Sequence, residues 1–316
     1  ITLGQDSEIN ISALSGTGDA GVLTLAGTTI TAVNADIKGE TFSEGKAADI
    51  ALTAEDITLT GTLINSSTEG VGAGGFIALS ADTISIDDGS AIESDSFSSG
   101  DGGEIILSAT RRFDLTNARI EAEVLGSGAG GLVEIKAPEI TLGQDSEINI
   151  SALSGTGDAG VLTLAGTTIT AVDADIKGET FGEGKGADIA LTAEDITLTG
   201  TLINSSTEGV GAGGFIALSA DTISIDDGSA IESDSFSSGD GGEIILSATS
   251  SFDLTNARIE AEALGSGAGG LVEIKAPEIT LGQDSEINIS ALSGTGDAGV
   301  LTLEGTTITA VDADIK

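Results

Sequence analysis

The residues of this chain best placed to do chemistry are carboxylates. Glu93 and Asp95 stand two apart, Glu121 and Glu123 repeat that spacing 28 residues later, and the same four recur as Glu232, Asp234, Glu260 and Glu262. A spacing of two puts side chains on one face of a strand. If the two segments are neighbouring strands, Glu93 lies over Glu121 and Asp95 over Glu123, and the four share one outward patch. Neighbouring strands lie about 4.8 Å apart, where like charges repel by about 0.9 kcal/mol even in water. A hard cation such as Ca²⁺, which takes oxygen ligands, would relieve that repulsion. The competing reading is that these side chains splay into water and that Arg119 or Arg258 neutralises part of each patch.

Other chemistry is sparse. Asp87-Asp88-Gly89 and Gly100-Asp101-Gly102-Gly103 resemble fragments of calcium-binding turns, but neither completes a Gly-Gly-x-Gly-x-Asp nonapeptide, and no EF-hand loop is present. With neither Cys nor His, zinc and softer metals lack their usual ligands, and the common nucleophile and base pairs are missing. Asp87, Asp88 and Arg119 form the nearest constellation to a polysaccharide-acting site, but paired acids are expected in a chain with 51 of them. No enzymatic activity and no organic cofactor are expected.

Positioning the carboxylates falls to a repeat. Residues 1–139 recur as 140–278, and 279–316 begin a third copy; the first two differ at Asn34/Asp173, Ser43/Gly182, Ala47/Gly186, Arg111/Ser250, Arg112/Ser251 and Val124/Ala263. One site would need one copy, so near-identical tandem units point to length, multivalency or polymerisation. A shorter period of 27–29 residues divides each unit into five coils. Three apolar columns mark it: Leu25, Leu52, Leu79, Leu107 and Ile135; Ile30, Ile57, Ile84, Phe113 and Ile140; Ile37, Ile64, Ile92, Ile120 and Ile148. Gly pairs such as Gly74-Gly75 and Gly102-Gly103 close the coils.

Between these landmarks the chain alternates, as in Asp56-Ile-Thr-Leu-Thr60, which signals strands with one buried face. Three short strands per coil, which bury their apolar faces only when coils stack, predict an all-β fold: a parallel β-solenoid, right-handed because parallel crossovers prefer that hand. Stacked at about 4.8 Å per coil, five coils advance about 24 Å. The composition agrees. Only 8 Phe and no Trp, Tyr or Met accompany 39% apolar residues, which suits a narrow aliphatic core, and the two prolines stand at equivalent places, Pro138 and Pro277. The coil phase never breaks, so 1–316 reads as one continuous domain, expected to be a segment of a longer chain.

Phrases such as Gly74-Gly-Phe-Ile-Ala-Leu-Ser-Ala81 and Ile84-Ser-Ile-Asp-Asp-Gly-Ser-Ala-Ile92 resemble the β-helical repeats of filamentous-haemagglutinin-like proteins. The resemblance implies an exoprotein exported through an outer-membrane partner, at the surface of a bacterium with an outer membrane, serving as an adhesin or surface fibre. The expected partners are further copies, stacked end to end through exposed strand edges or laterally, and cell-surface or matrix glycans, which repeated flat faces could bind multivalently.

Charge narrows the partners. With 51 acidic against 11 basic residues and a net charge of −40, nucleic acid and anionic lipid, which need cationic patches, are excluded. The acidic surface would keep a long fibre soluble. An outward column of Thr31, Thr58, Ser85, Asp114 and Thr141 is too interrupted for a threonine lattice, and β-propensity accounts for it. Finally, Leu14, Phe42, Phe97 and Leu125 hold similar places in the closing segments and are expected to form a fourth core column. Facing outward, they would instead form an apolar stripe.

Overall fold

The computed structural model describes residues 1–293 and 296–316. It is a parallel β-solenoid of about eleven turns, with strands as the only regular structure among the described residues. A typical turn carries two strands of four or five residues and one of three, as in Asp49–Thr53, Asp56–Thr60 and Leu63–Asn65. In two coils of each full unit the first two strands run together, giving the 12-residue strands Phe76–Asp87 and Glu104–Leu115 and their counterparts Phe215–Asp226 and Glu243–Leu254. Every pairing is parallel, and the three-residue strands stack into a sheet of 12.

The predicted columns are the observed ladders. Leu25 pairs with Leu52, Leu52 with Leu79, Ile57 with Ile84, Ile84 with Phe113, Ile64 with Ile92 and Ile92 with Ile120. Apart from Leu25, which is partly buried and packs against it, these side chains are buried in one continuous cluster. Alternation is the cause: along Asp56–Thr60 only Ile57 and Leu59 point inward. Phe113 and Phe252 take the place of an isoleucine in their column, and the coil from Glu104 to Leu115 carries a register shift between Ala109 and Arg112.

The corner between the second and third strands needs a left-handed residue in every coil. Asn34, Asp88, Asn117, Asp145 and Asp173 supply it with φ near +50°, and Gly61 does so with φ of 58°. Asn and Asp tolerate this region better than other residues that carry a Cβ. The Gly pairs serve close approach instead. A Cβ on Gly75 would lie 2.0 Å from Ser66 Oγ and 2.1 Å from the Ala48 carbonyl oxygen. Pro138 sits at a corner, where its carbonyl accepts from the amides of Thr167 and Thr168.

One expectation is corrected. In the closing segment the inward, bridging residues are Ala13, Thr41, Thr68, Ser96, Val124 and Ala152, and the residue after each points out. Phe42 is 45% exposed and Phe97 43%, and Leu14 and Leu125 are exposed as well. Small side chains take the inward place: Thr41 Oγ1 donates to the Gly45 carbonyl at 2.8 Å and lies in hydrogen-bond contact with Thr68 Oγ1 at 2.9 Å. The outward column over the whole chain runs Leu14, Phe42, Glu69, Phe97, Leu125, Leu153, Phe181, Glu208, Phe236, Leu264, Leu292, each residue following a bridged one.

Candidate functional site: the stacked carboxylates

Glu93 and Glu121 are direct cross-strand partners on the outward side of the small sheet. Their ladder continues through Asn65 on one side and Asn149 on the other, and beyond these through Lys38 and Lys177. Charged rungs are thus bracketed by amides and then by cations. Asn65 Nδ2 donates to Glu93 Oε2 at 3.2 Å. Arg119, one coil from Glu93 and two residues from Glu121, spans the acidic pair: Nη2 donates to Glu93 Oε1, and Nε lies 3.0 Å from Glu121 Oε2. Arg258 repeats the arrangement with Glu232 and Glu260.

Asp95 does not share an outward patch. It is 4% exposed, as is Asp234. Its Oδ1 accepts the backbone amide of Glu123, in the next coil, at 2.8 Å, and its own amide donates to Ser67 Oγ, in the coil before, at 3.0 Å. Ser12 and Ser151 do the same for the amides of Glu40 and Glu179, and Asp234 for that of Glu262 at 2.7 Å. These outward amides meet no backbone carbonyl; Ser and Asp side chains of the preceding coil satisfy some of them, and Asn65, Asn149, Asn204 and Asn288 accept those of Ser67, Ser151, Ser206 and Ser290 two residues on.

The four-carboxylate patch is therefore corrected to a group of three. Oxygens of Glu93, Asp95 and Glu121 lie within 4.8 Å of one another, as do those of Glu232, Asp234 and Glu260. Glu123 and Glu262 stand outside these groups, their amides engaged by Asp95 and Asp234. Burial pushes the Asp95 carboxyl up to about 8, with Glu121, Glu123 and Glu93 adding to the rise and the Glu123 amide opposing it. Asp234 is pushed to about 7 by the same cause. Burial, and then Glu121, carry Glu123 to about 7. Glu121 is also raised, by burial first, with Arg119 opposing.

Three convergent oxygens are a donor set that suits a hard cation such as Ca²⁺, but an arginine already bridges two of them and a backbone amide holds the third. The arrangement handles its charge through a guanidinium and a backbone amide, and burial raises the proton affinity of Asp95 and Glu121. The other candidates are dispersed. Arg119 is turned to Glu93 and Glu121, away from any joint site with Asp87 and Asp88, and Asp88 serves as a left-handed corner. A shallow groove beside Arg119 is lined by Gly89, Asn117, Asp145 and Glu147, without Asp87 or Asp88. The threonine column holds the expected register, with Asp114 between Ser85 and Thr141. No helix among the described residues is long and apolar enough to cross a membrane.

Sequence reasoning missed the amide-accepting column. Its signal was available: Ser12, Glu40, Ser67, Asp95, Glu123 and Ser151 occupy one place in successive coils, and the hydroxyls among them mark a position that must accept a hydrogen bond. No protein-family model matches the chain, and no curated protein or solved structure is similar enough to it to be matched.

Proposed function

We propose that this chain is a shaft: a structural repeat of an extracellular surface fibre whose work is to extend and to display the same surface many times. The observation that supports this most is the unbroken register of the three core columns across both 139-residue units, where the second unit repeats the strands of the first one for one. Such a body grows in one dimension. Each coil buries its apolar face only against its neighbours, so adding units adds length without changing the cross-section.

The resemblance to filamentous-haemagglutinin-like repeats fits this reading and adds a place for it, the surface of a bacterium with an outer membrane. The net charge of −40 keeps such rods dispersed and turns them away from nucleic acid and anionic lipid. Electron microscopy of the native material tests the proposal. Fibres with an axial repeat of about 24 Å, five coils at the strand spacing, are the expected result. Isolated compact particles would overturn it, and saturable binding of the purified chain to cells or glycans would move the assignment to an adhesin stalk.

A further inference from the structure

The outward column of the closing segments concentrates apolar surface on a rod otherwise dominated by acid. Four of the chain's 8 phenylalanines stand in it, Phe42, Phe97, Phe181 and Phe236, all exposed. Successive rungs are locked in step by backbone bonds: the amide of Phe97 donates to the Thr68 carbonyl at 2.8 Å, that of Leu125 to Ser96 at 2.9 Å and that of Leu153 to Val124 at 2.7 Å. The chain around the central rungs carries no charge over 96–100, 124–129 and 152–157. Only at Glu69 and Glu208, once per 139-residue unit, is the ladder interrupted. Charges placed so regularly in an apolar run act as gatekeepers that limit open-ended association.

We propose that this ladder is the face by which two copies of the chain lie side by side. Two features select a second copy as the occupant. Around each interruption the rungs read Leu14, Phe42, Glu69, Phe97, Leu125, and again Leu153, Phe181, Glu208, Phe236, Leu264, an order that is the same in either direction. A two-fold interface joins a patch to itself with the chain direction reversed, and this palindrome lets apolar rungs meet apolar rungs, with the opposed glutamates as the charges that limit the association. The second feature is area. With a half-exposed aromatic ring leaving on the order of 90 Å² in water, nine apolar rungs offer roughly 700 Å², near the ~800 Å² that each partner gives to a specific interface. The uncharged stretches around Phe97, Leu125 and Leu153 are also where two such acidic rods meet least repulsion.

This proposal rests on the shaft reading, and sedimentation velocity of the 316-residue chain separates the two. From about 1 µM to about 1 mM, the range of moderate affinities, the wild type is expected to pass from single rods to pairs. Rising salt should favour the pairs, because screening relieves the repulsion between acidic rods. Replacing the four ladder phenylalanines with serine (F42S/F97S/F181S/F236S) should shift the midpoint at least tenfold upward with an unchanged circular dichroism spectrum. E69L/E208L, which joins the apolar runs, should shift it downward. A wild type that sediments as a single extended rod throughout, or pairs whose midpoint neither variant moves, overturns the lateral face and leaves the shaft standing. A compact particle overturns both.

Discussion

The backbone amide of Glu123 donates a 2.8 Å hydrogen bond to Oδ1 of Asp95, one coil below it. That bond makes a buried acid part of the scaffold, in a place where Ser67 and Ser151 serve neighbouring coils with a hydroxyl. Asp95→Ala leaves the amide without its acceptor and should destabilise the chain by about 1–3 kcal/mol, the penalty for an unsatisfied buried donor. Asp95→Ser restores an acceptor of the kind the column already uses. At pH 5 it should melt within about 1 kcal/mol of the wild type, as urea titration of both variants would show.

The raised carboxyls fix the direction of the pH response. Asp95 goes from 3.8 to about 8 and Asp234 from 3.8 to about 7. Between those limits the folded chain holds more protons than the unfolded one, so stability falls as pH rises from about 4 toward 8. General repulsion on so acidic a chain acts in the same direction. Comparison with D95S/D234S isolates the two sites: the double variant should lose less stability than the wild type between pH 5 and pH 8.5. Parallel pH curves would show that neither aspartate retains its proton.

Arg119 holds Glu93 and Glu121 together. Because the guanidinium is half exposed, Arg119→Gln should cost only about 1 kcal/mol, the upper range for a solvent-screened bridge. Part of that loss reflects two like charges left directly opposite each other. Adding Glu93→Gln should recover it, and a double-mutant cycle measured by denaturation would report the coupling.

Glycine tolerance should depend on stacking. A Cβ on Gly45 would fall 2.1 Å from the Gly18 carbonyl oxygen, whereas the equivalent place on Gly18 meets nothing within 4 Å. Gly45→Ala is therefore expected to destabilise by more than about 2 kcal/mol through a backbone clash, while Gly18→Ala is neutral. Equal effects at both positions would mean that coils do not approach as described.

Much of this architecture is legible in the sequence because its strongest signal is periodic. Ile64, Ile92 and Ile120 recur at coil spacing between alternating residues, and stacking follows since no single coil can bury them. The closing segments were harder to read. Phe97 is large and apolar, and only the geometry of the corner, where Ser96 points in, turns it outward. Asp95 was legible as a partner of Glu123 but not as a buried one, because burial there depends on side chains from three successive coils rather than on alternation within one.

The central claim is that each 139-residue unit adds length at a constant cross-section. Small-angle X-ray scattering from this chain, and from versions lengthened by one and two further units, tests it most directly. The account predicts a constant cross-section and a maximum dimension that grows by about 24 Å per unit, five coils at the strand spacing. A cross-section that thickens with each added unit, with length growing more slowly than this, would contradict it.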